Sequence, residues 1–163
     1  MADEQAALRA ELIFQLTKGH AHMPLEEAVK DFPMDRIDEN FPGGTYSAWA
    51  LIEHIRITQW DILDFVRNKD YVYLAWPKDY WPEPGTTATA EQWQATLDAF
   101  IADRQALVDI VNDPTTDPYA TIPWGEGQTV MHEILVVTDH NAYHVGEFAI
   151  MRQAMQTWPP GHE

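Results

Sequence analysis

The stretch that decides the fold is Thr129–Thr157, TVMHEILVVTDHNAYHVGEFAIMRQAMQT, closed by Pro159-Pro160. It is long enough for about eight helical turns. Within it, Asp139-His140-Asn141-Ala142-Tyr143-His144 sets two imidazoles four residues apart. On a helix such residues lie about 40° from one another and one turn apart. Glu147 falls about 20° to the other side of His140, and Glu133, two turns earlier, shares the same stripe. A stripe of Glu133, His140, His144 and Glu147 beside Val136, Val137 and Met151 is costly to bury. Each unpaired polar group in a core is penalised by about 1–3 kcal/mol. A divalent ion supplies a reason for it, because helical His-x-x-x-His pairs converge on metals.

Working outward, three more segments carry helical periodicity. The first runs from about Asp3 to Lys18, with Leu8, Leu12 and Leu16 every fourth residue and Gly19 placed as a C-cap. A turn-rich connector with a short helical stretch at Leu25–Asp31 follows, ending in Phe41-Pro42-Gly43-Gly44. The second helix begins at Thr45 or Ser47 and runs to about Arg67. The third opens with the capping box Thr89-Ala90-Glu91-Gln92 and stops before Pro114. No strand-period alternation of useful length, internal repeat or low-complexity tract interrupts the pattern. The expected architecture is all-α: one domain over residues 1–163, a four-helix bundle whose connections of about 20 residues favour some crossover topology over an up-down-up-down one. One of these loops, Asn68 to Ala88, carries Tyr71, Tyr73, Trp76, Tyr80 and Trp81 among prolines. It reads as structural cover or a dimer contact, since Tyr and Trp are enriched at interfaces.

His54 lies in Trp49-Ala50-Leu51-Ile52-Glu53-His54-Ile55, among residues that face the core. Asp61 is two turns further along the same face, placed to orient an imidazole or to join the shell. One histidine from the second helix and two from the fourth make a three-nitrogen site with room for water or substrate. The bland alternative is two surface histidines and one hydrogen-bonded core histidine. Among the rest, His132 reads as peripheral, and His20 and His22 as exposed connector residues. Arg104, on the apolar stripe of the third helix, reads as a snorkelling stem or a partner for a carboxylate.

Composition narrows the chemistry. Ten basic against 26 acidic residues give a net charge of −16 over 163 residues, which repels nucleic acid and anionic membranes. The acidic N-terminus, Met1-Ala2-Asp3-Glu4-Gln5, lacks a signal-peptide pattern, and no apolar run spans a bilayer. A soluble, cytoplasmic protein with no nucleic-acid or membrane partner is therefore expected. Cysteine is absent, so thiolate ligands and Cys nucleophiles are excluded and any thiol chemistry must use an external thiol.

The segments Tyr46–Ile55 and Asp139–Glu147, with Gly19-His20-Ala21-His22 and Leu25-Glu26-Glu27-Ala28, resemble the DinB-like (DinB/YfiT) superfamily over nearly the whole chain. The resemblance implies a four-helix bundle with one divalent ion, zinc or nickel before iron or manganese, on His54, His140 and His144. It also implies a homodimer. Some members of that family are metal-dependent thiol S-transferases or a thiol-dependent isomerase, and others resemble hydrolases. One departure concerns Glu147, where the family often has Gln. A carboxylate there could be a ligand, a base, or an acceptor for a ligand imidazole. The expectation is a metal-dependent transferase or hydrolase, with an external low-molecular-weight thiol as one candidate co-substrate. Glu147, Asp61 and Glu133 are its candidate proton handlers. The competing expectation is a non-catalytic metal-binding, stress-associated interaction protein.

Overall fold

Side-chain caps set where the long helices begin. In the computed structural model, which describes residues 2–19 and 21–161, Ser47 accepts from Ala50 N at 3.2 Å and opens α3 (Ala48–Arg67). Thr89 and Gln92 form a complete capping box at α4 (Ala90–Asn112). Thr129 accepts from His132 N at 3.1 Å at the head of α5 (Val130–Met155). The remaining helices are α1 (Ala2–Thr17) and the short α2 (Leu25–Val29).

The helix ends differ slightly from the sequence expectation. α2 stops at Val29 rather than Asp31, which takes a left-handed φ of 53°. α5 stops at Met155 because Gln156, at φ 55°, turns the chain out of the helix. Gly19 carries the expected positive φ, 61°, just beyond α1. Beyond α4, Arg9 of α1 donates to the carbonyls of Val111, Asp113 and Thr116, meeting acceptors that the helix end leaves open.

The main packing joins α3 to α4 and α5, and α1 to α4 and α5. Thus α1 and α3 occupy one diagonal of the bundle, with α4 and α5 on the other. Two apolar clusters fix the directions. The first gathers Trp49, Ile52 and Ile55 with Trp93, Phe100, Phe148 and Met151, closed off by Leu25 and Val29 of α2. The second gathers Leu12 and Leu16 with Ile62, Leu63, Leu107, Val111, Ile134 and Val137. The first halves of α3 and α4 therefore share one end with the second half of α5. Neighbours α3 and α4 run parallel, and α5 runs against both. No tight turn can join parallel neighbours, so the segment after Arg67 must travel back along the 20-residue α3, about 30 Å.

Between the two clusters lies a polar band. It contains His54, Gln59 and Asp61 of α3, all buried, and the partly buried His140 and Asn141 of α5. Gln59 donates to Phe100 O at 2.7 Å and accepts from Asn141 Nδ2 at 3.0 Å. Arg104 pairs with Glu26 and lies over the Phe100 ring, the carboxylate-partner role expected of it. Among the described residues no helix is long and apolar enough to cross a membrane.

Arg152 of α5 is fully buried and ties the first connector to the end of the chain. Its guanidinium donates to Ala28 O and Lys30 O, each at 2.7 Å, and to Thr157 O at 2.6 Å. It also lies over Trp158, 4.1 Å from the ring centroid. Arg152→Ala strips three carbonyls of their donor and is expected to lower unfolding free energy by about 3–5 kcal/mol. Urea unfolding measures this, and a loss below about 1 kcal/mol would show the carbonyls resolvated at little cost.

Candidate metal centre

The antiparallel contact of α3 with α5 brings His54 opposite His140 and His144. His54 Nε2 lies 3.2 Å from His144 Nε2 and 3.2 Å from His140 Nε2. One ring nitrogen from each histidine falls within 4.8 Å of the others, so the group could hold a metal ion. His54 is 1% exposed, while His140 and His144 are partly buried.

The outer nitrogens decide what the inner ones can do. His54 Nδ1 lies 2.8 Å from Tyr80 O, and a carbonyl can only accept, so Nδ1 carries the proton. His144 Nδ1 lies 2.6 Å from Glu147 Oε2 and donates to it when that carboxylate is ionised. His54 Nε2 and His144 Nε2 then both present lone pairs, 3.2 Å apart, with no proton to share. Two lone pairs aimed at one point repel unless a cation sits between them. A tetrahedral ion with metal–nitrogen bonds of about 2.0–2.1 Å sets its ligand nitrogens about 3.3 Å apart, and the donor set is one that zinc and nickel accept. The residues present fit a divalent ion.

Electrostatics agree. Burial lowers the pKa of His54, against a smaller opposing effect of the Tyr80 carbonyl. Burial first, then repulsion from its neighbours, brings His140 down to about 4 and His144 to about 3. Near neutral pH all three rings are uncharged, the state in which imidazole is a ligand.

The aromatic loop proves to be part of this site. Trp81 stacks on the His54 ring, 3.9 Å between centroids and 4° from parallel. Tyr80 supplies the carbonyl that holds His54. The loop is moored by Asp61, whose carboxylate accepts from Tyr71 OH at 2.8 Å and from Tyr80 OH at 2.6 Å. Asp61 thus acts on the loop that grips His54, and both of its oxygens are engaged by tyrosines. Burial, with Asp61 adding to it, raises the pKa of both phenols.

Glu147 also has both oxygens engaged, one by His144 and the other by the hydroxyl of Tyr46. Burial raises its pKa. Glu133 is buried but stands away from the ring nitrogens, beside Asp61, which adds to the effect of burial in raising its pKa. His132 is exposed; His22 is exposed too and binds its neighbour's carbonyl, Met23 O, at 2.8 Å. His20 lies outside the described residues. Sequence reasoning did not single out Tyr46, Tyr80 O or Trp81 as parts of the centre. Tyr46 is held by the turn before α3: a bridge joins Asn40 to Ser47, and Phe41 packs on the Tyr46 ring at 5.8 Å. At Gly44 a Cβ would meet the Phe41 ring at 2.1 Å, so that turn needs glycine.

The sequence model of the DinB superfamily matches residues 20–148, most of the chain, and the chain belongs to that superfamily. No curated protein and no solved structure matches it.

The depressed histidines predict an acid-sensitive metal-free protein. In the unfolded chain these imidazoles titrate near 6.5, whereas folded His140 and His144 stay neutral down to about 4 and 3. As pH falls below about 6.5 the unfolded state gains protons that the folded state refuses. Stability is therefore lost through that window, by at most about 1.4 kcal/mol per pH unit for each histidine. Urea unfolding of metal-free protein at pH 7 and pH 5 should show this loss, and His144→Gln should lessen it. An equal loss in both proteins would contradict the low His144 value.

Proposed function

We propose that this DinB-superfamily chain is a divalent-metal-dependent enzyme of the transferase or hydrolase type. His54, His140 and His144 hold one ion, zinc or nickel first and iron or manganese next. The observation that carries the reading is the approach of the Nε2 atoms of His54 and His144 to 3.2 Å while their Nδ1 atoms are held by Tyr80 O and Glu147. Among the described residues the group consists of three nitrogens and no carboxylate. Three protein ligands with open positions is the pattern of a catalytic rather than a structural site.

A divalent ion held there would supply a Lewis acid that acidifies water or an external thiol. The chain's own residues do the rest. Tyr80 O and Glu147 fix the ring tautomers of His54 and His144, keeping both Nε2 lone pairs turned inward. Trp81 covers His54 and excludes water from that side. Glu147, partly buried and raised in pKa, is the carboxylate placed to take or return a proton at the edge of the centre. Asp61 contributes through its hold on Tyr71 and Tyr80. An external low-molecular-weight thiol, which the superfamily resemblance implies for some members, would be the co-substrate of the transferase form, since the chain has no cysteine of its own.

The rival reading is a non-catalytic metal-binding interaction protein. Its support is the exposure of Tyr73, Trp76 and Tyr143, at 63%, 70% and 70%, which would equally serve a homodimer.

Elemental analysis of purified protein is expected to find about one equivalent of metal, absent from His54→Ala and His144→Ala. No metal after reloading with zinc and nickel would sink the enzyme reading. Glu147→Gln and Tyr46→Phe are expected to keep the ion but weaken its affinity by about 10–100-fold, as measured by competition with a chelator. Unchanged affinity in both would remove Glu147 and Tyr46 from the centre.

A further inference from the structure

Tyr46 and Trp81 stand between the triad and a second space. Their ring centroids are 5.0 Å apart. On one side Tyr46 binds Glu147 and Trp81 covers His54. On the other, both line a cavity of about 380 Å³ bounded by the turn before α3 and the segment after Trp81. Ala50 lines it as well, one turn before His54 on α3.

The rims of this cavity are tied in place. The Asn40–Ser47 bridge closes one, and Ala88 N donates to Asp38 Oδ1 at 2.9 Å across the other. Thr86 turns the chain by donating to Glu83 O from its amide at 3.0 Å and its hydroxyl at 2.6 Å. The space is therefore preformed, and its volume is in the range of small-molecule pockets, about 300–1,000 Å³.

Its chemistry is one-sided. The lining holds two carboxylates, Asp38 and Glu83, several hydroxyls, and no lysine, arginine or histidine. Tyr46 and Trp81 add electron-rich ring surface. Carboxylates beside aromatic rings favour cations, by charge and by the ring quadrupole, and the net charge of −16 works in the same direction. Anions are disfavoured throughout. The volume is far greater than a bare ion fills, and the hydroxyl groups match a ligand that itself carries hydroxyls.

We infer that this cavity binds a small organic cation, an ammonium-bearing molecule with hydroxyl groups, and that it receives the non-reacting part of the substrate. The second half of the inference rests on the metal-centre reading; the first half does not. Tyr46 and Trp81 then connect the two spaces, since each touches both.

The test is titration calorimetry with choline and glucosamine against their uncharged counterparts, 3,3-dimethylbutanol and glucose, on metal-free and zinc-loaded protein. At least one cation should bind about tenfold or more tightly than its neutral counterpart, in both forms of the protein, and should shift the Trp81 indole signal in NMR spectra. The double variant Asp38→Asn, Glu83→Gln keeps an acceptor for Ala88 N and should lose that preference. Equal binding of charged and neutral probes, a preference that survives in the double variant, or no binding by either cation would overturn the inference. Metal uptake without cation binding would overturn it alone. Cation binding without metal uptake would keep the cavity and remove its link to the centre.

Discussion

The parallel run of α3 and α4 is the constraint from which most of the site follows. Parallel neighbours cannot share a hairpin, so the chain must return along the bundle before α4 can start. That return path passes His54. It places Tyr80 O against one ring nitrogen and the Trp81 ring against the imidazole plane. The path is held down midway by Asp61, a buried carboxylate that takes both tyrosine hydroxyls. A connection that topology makes long thus becomes the wall and the clamp of a three-histidine group.

The polar band that carries this group divides the core in two, and its α3 members His54, Gln59 and Asp61 are answered by neighbours. Gln59 accepts from Asn141 Nδ2 and donates to Phe100 O, while Asn141 Oδ1 is buried without a partner. Asp61 has its tyrosines. The inner nitrogens of His54 and His144 have no proton to share because theirs are committed outward, and His140 Nδ1 is buried without a partner. Deficits gathered at the histidines and the adjoining Asn141 point to a ligand there. The surrounding charge favours the same conclusion: a chain of net charge −16 that holds three uncharged imidazoles together attracts cations to that point.

Much of this was legible in the sequence because the signals are local. Ser47, Thr89 with Gln92, and Thr129 announce helix starts by their own hydrogen bonds, and each cap is found where its residue type implies. The His140–His144 pair needs only the helical period, and His54 only the apolar neighbours that turn it inward. What failed to show are features set by direction and by distant contact. The length of residues 68–89 implied a crossover but not which helices it leaves parallel, so Trp81 read as cover without its object being visible. Tyr80 enters through a backbone carbonyl, which no side-chain pattern can reveal. Gln156 and Asp31 adopt left-handed conformations without being glycine, so α5 and α2 end earlier than their sequences suggest.

Glu147 shows how a single side chain can join the two spaces. A neutral amide at this position could also accept from His144 Nδ1. A carboxylate does more, because its charge makes the imidazole a stronger donor through Nε2. That charge needs an answer of its own in a partly buried place, and Tyr46 gives it by donating to the second oxygen. The same Tyr46 ring lines the cavity beyond, for which we infer a cationic occupant. A cation over the Tyr46 ring would draw electron density away from its hydroxyl, strengthen it as a donor, lessen the charge on Glu147, and so weaken the push on His144. One hydrogen-bonded chain, Tyr46 to Glu147 to His144, thus links the two proposed sites, and a cation in the cavity would weaken the triad's hold on a divalent ion.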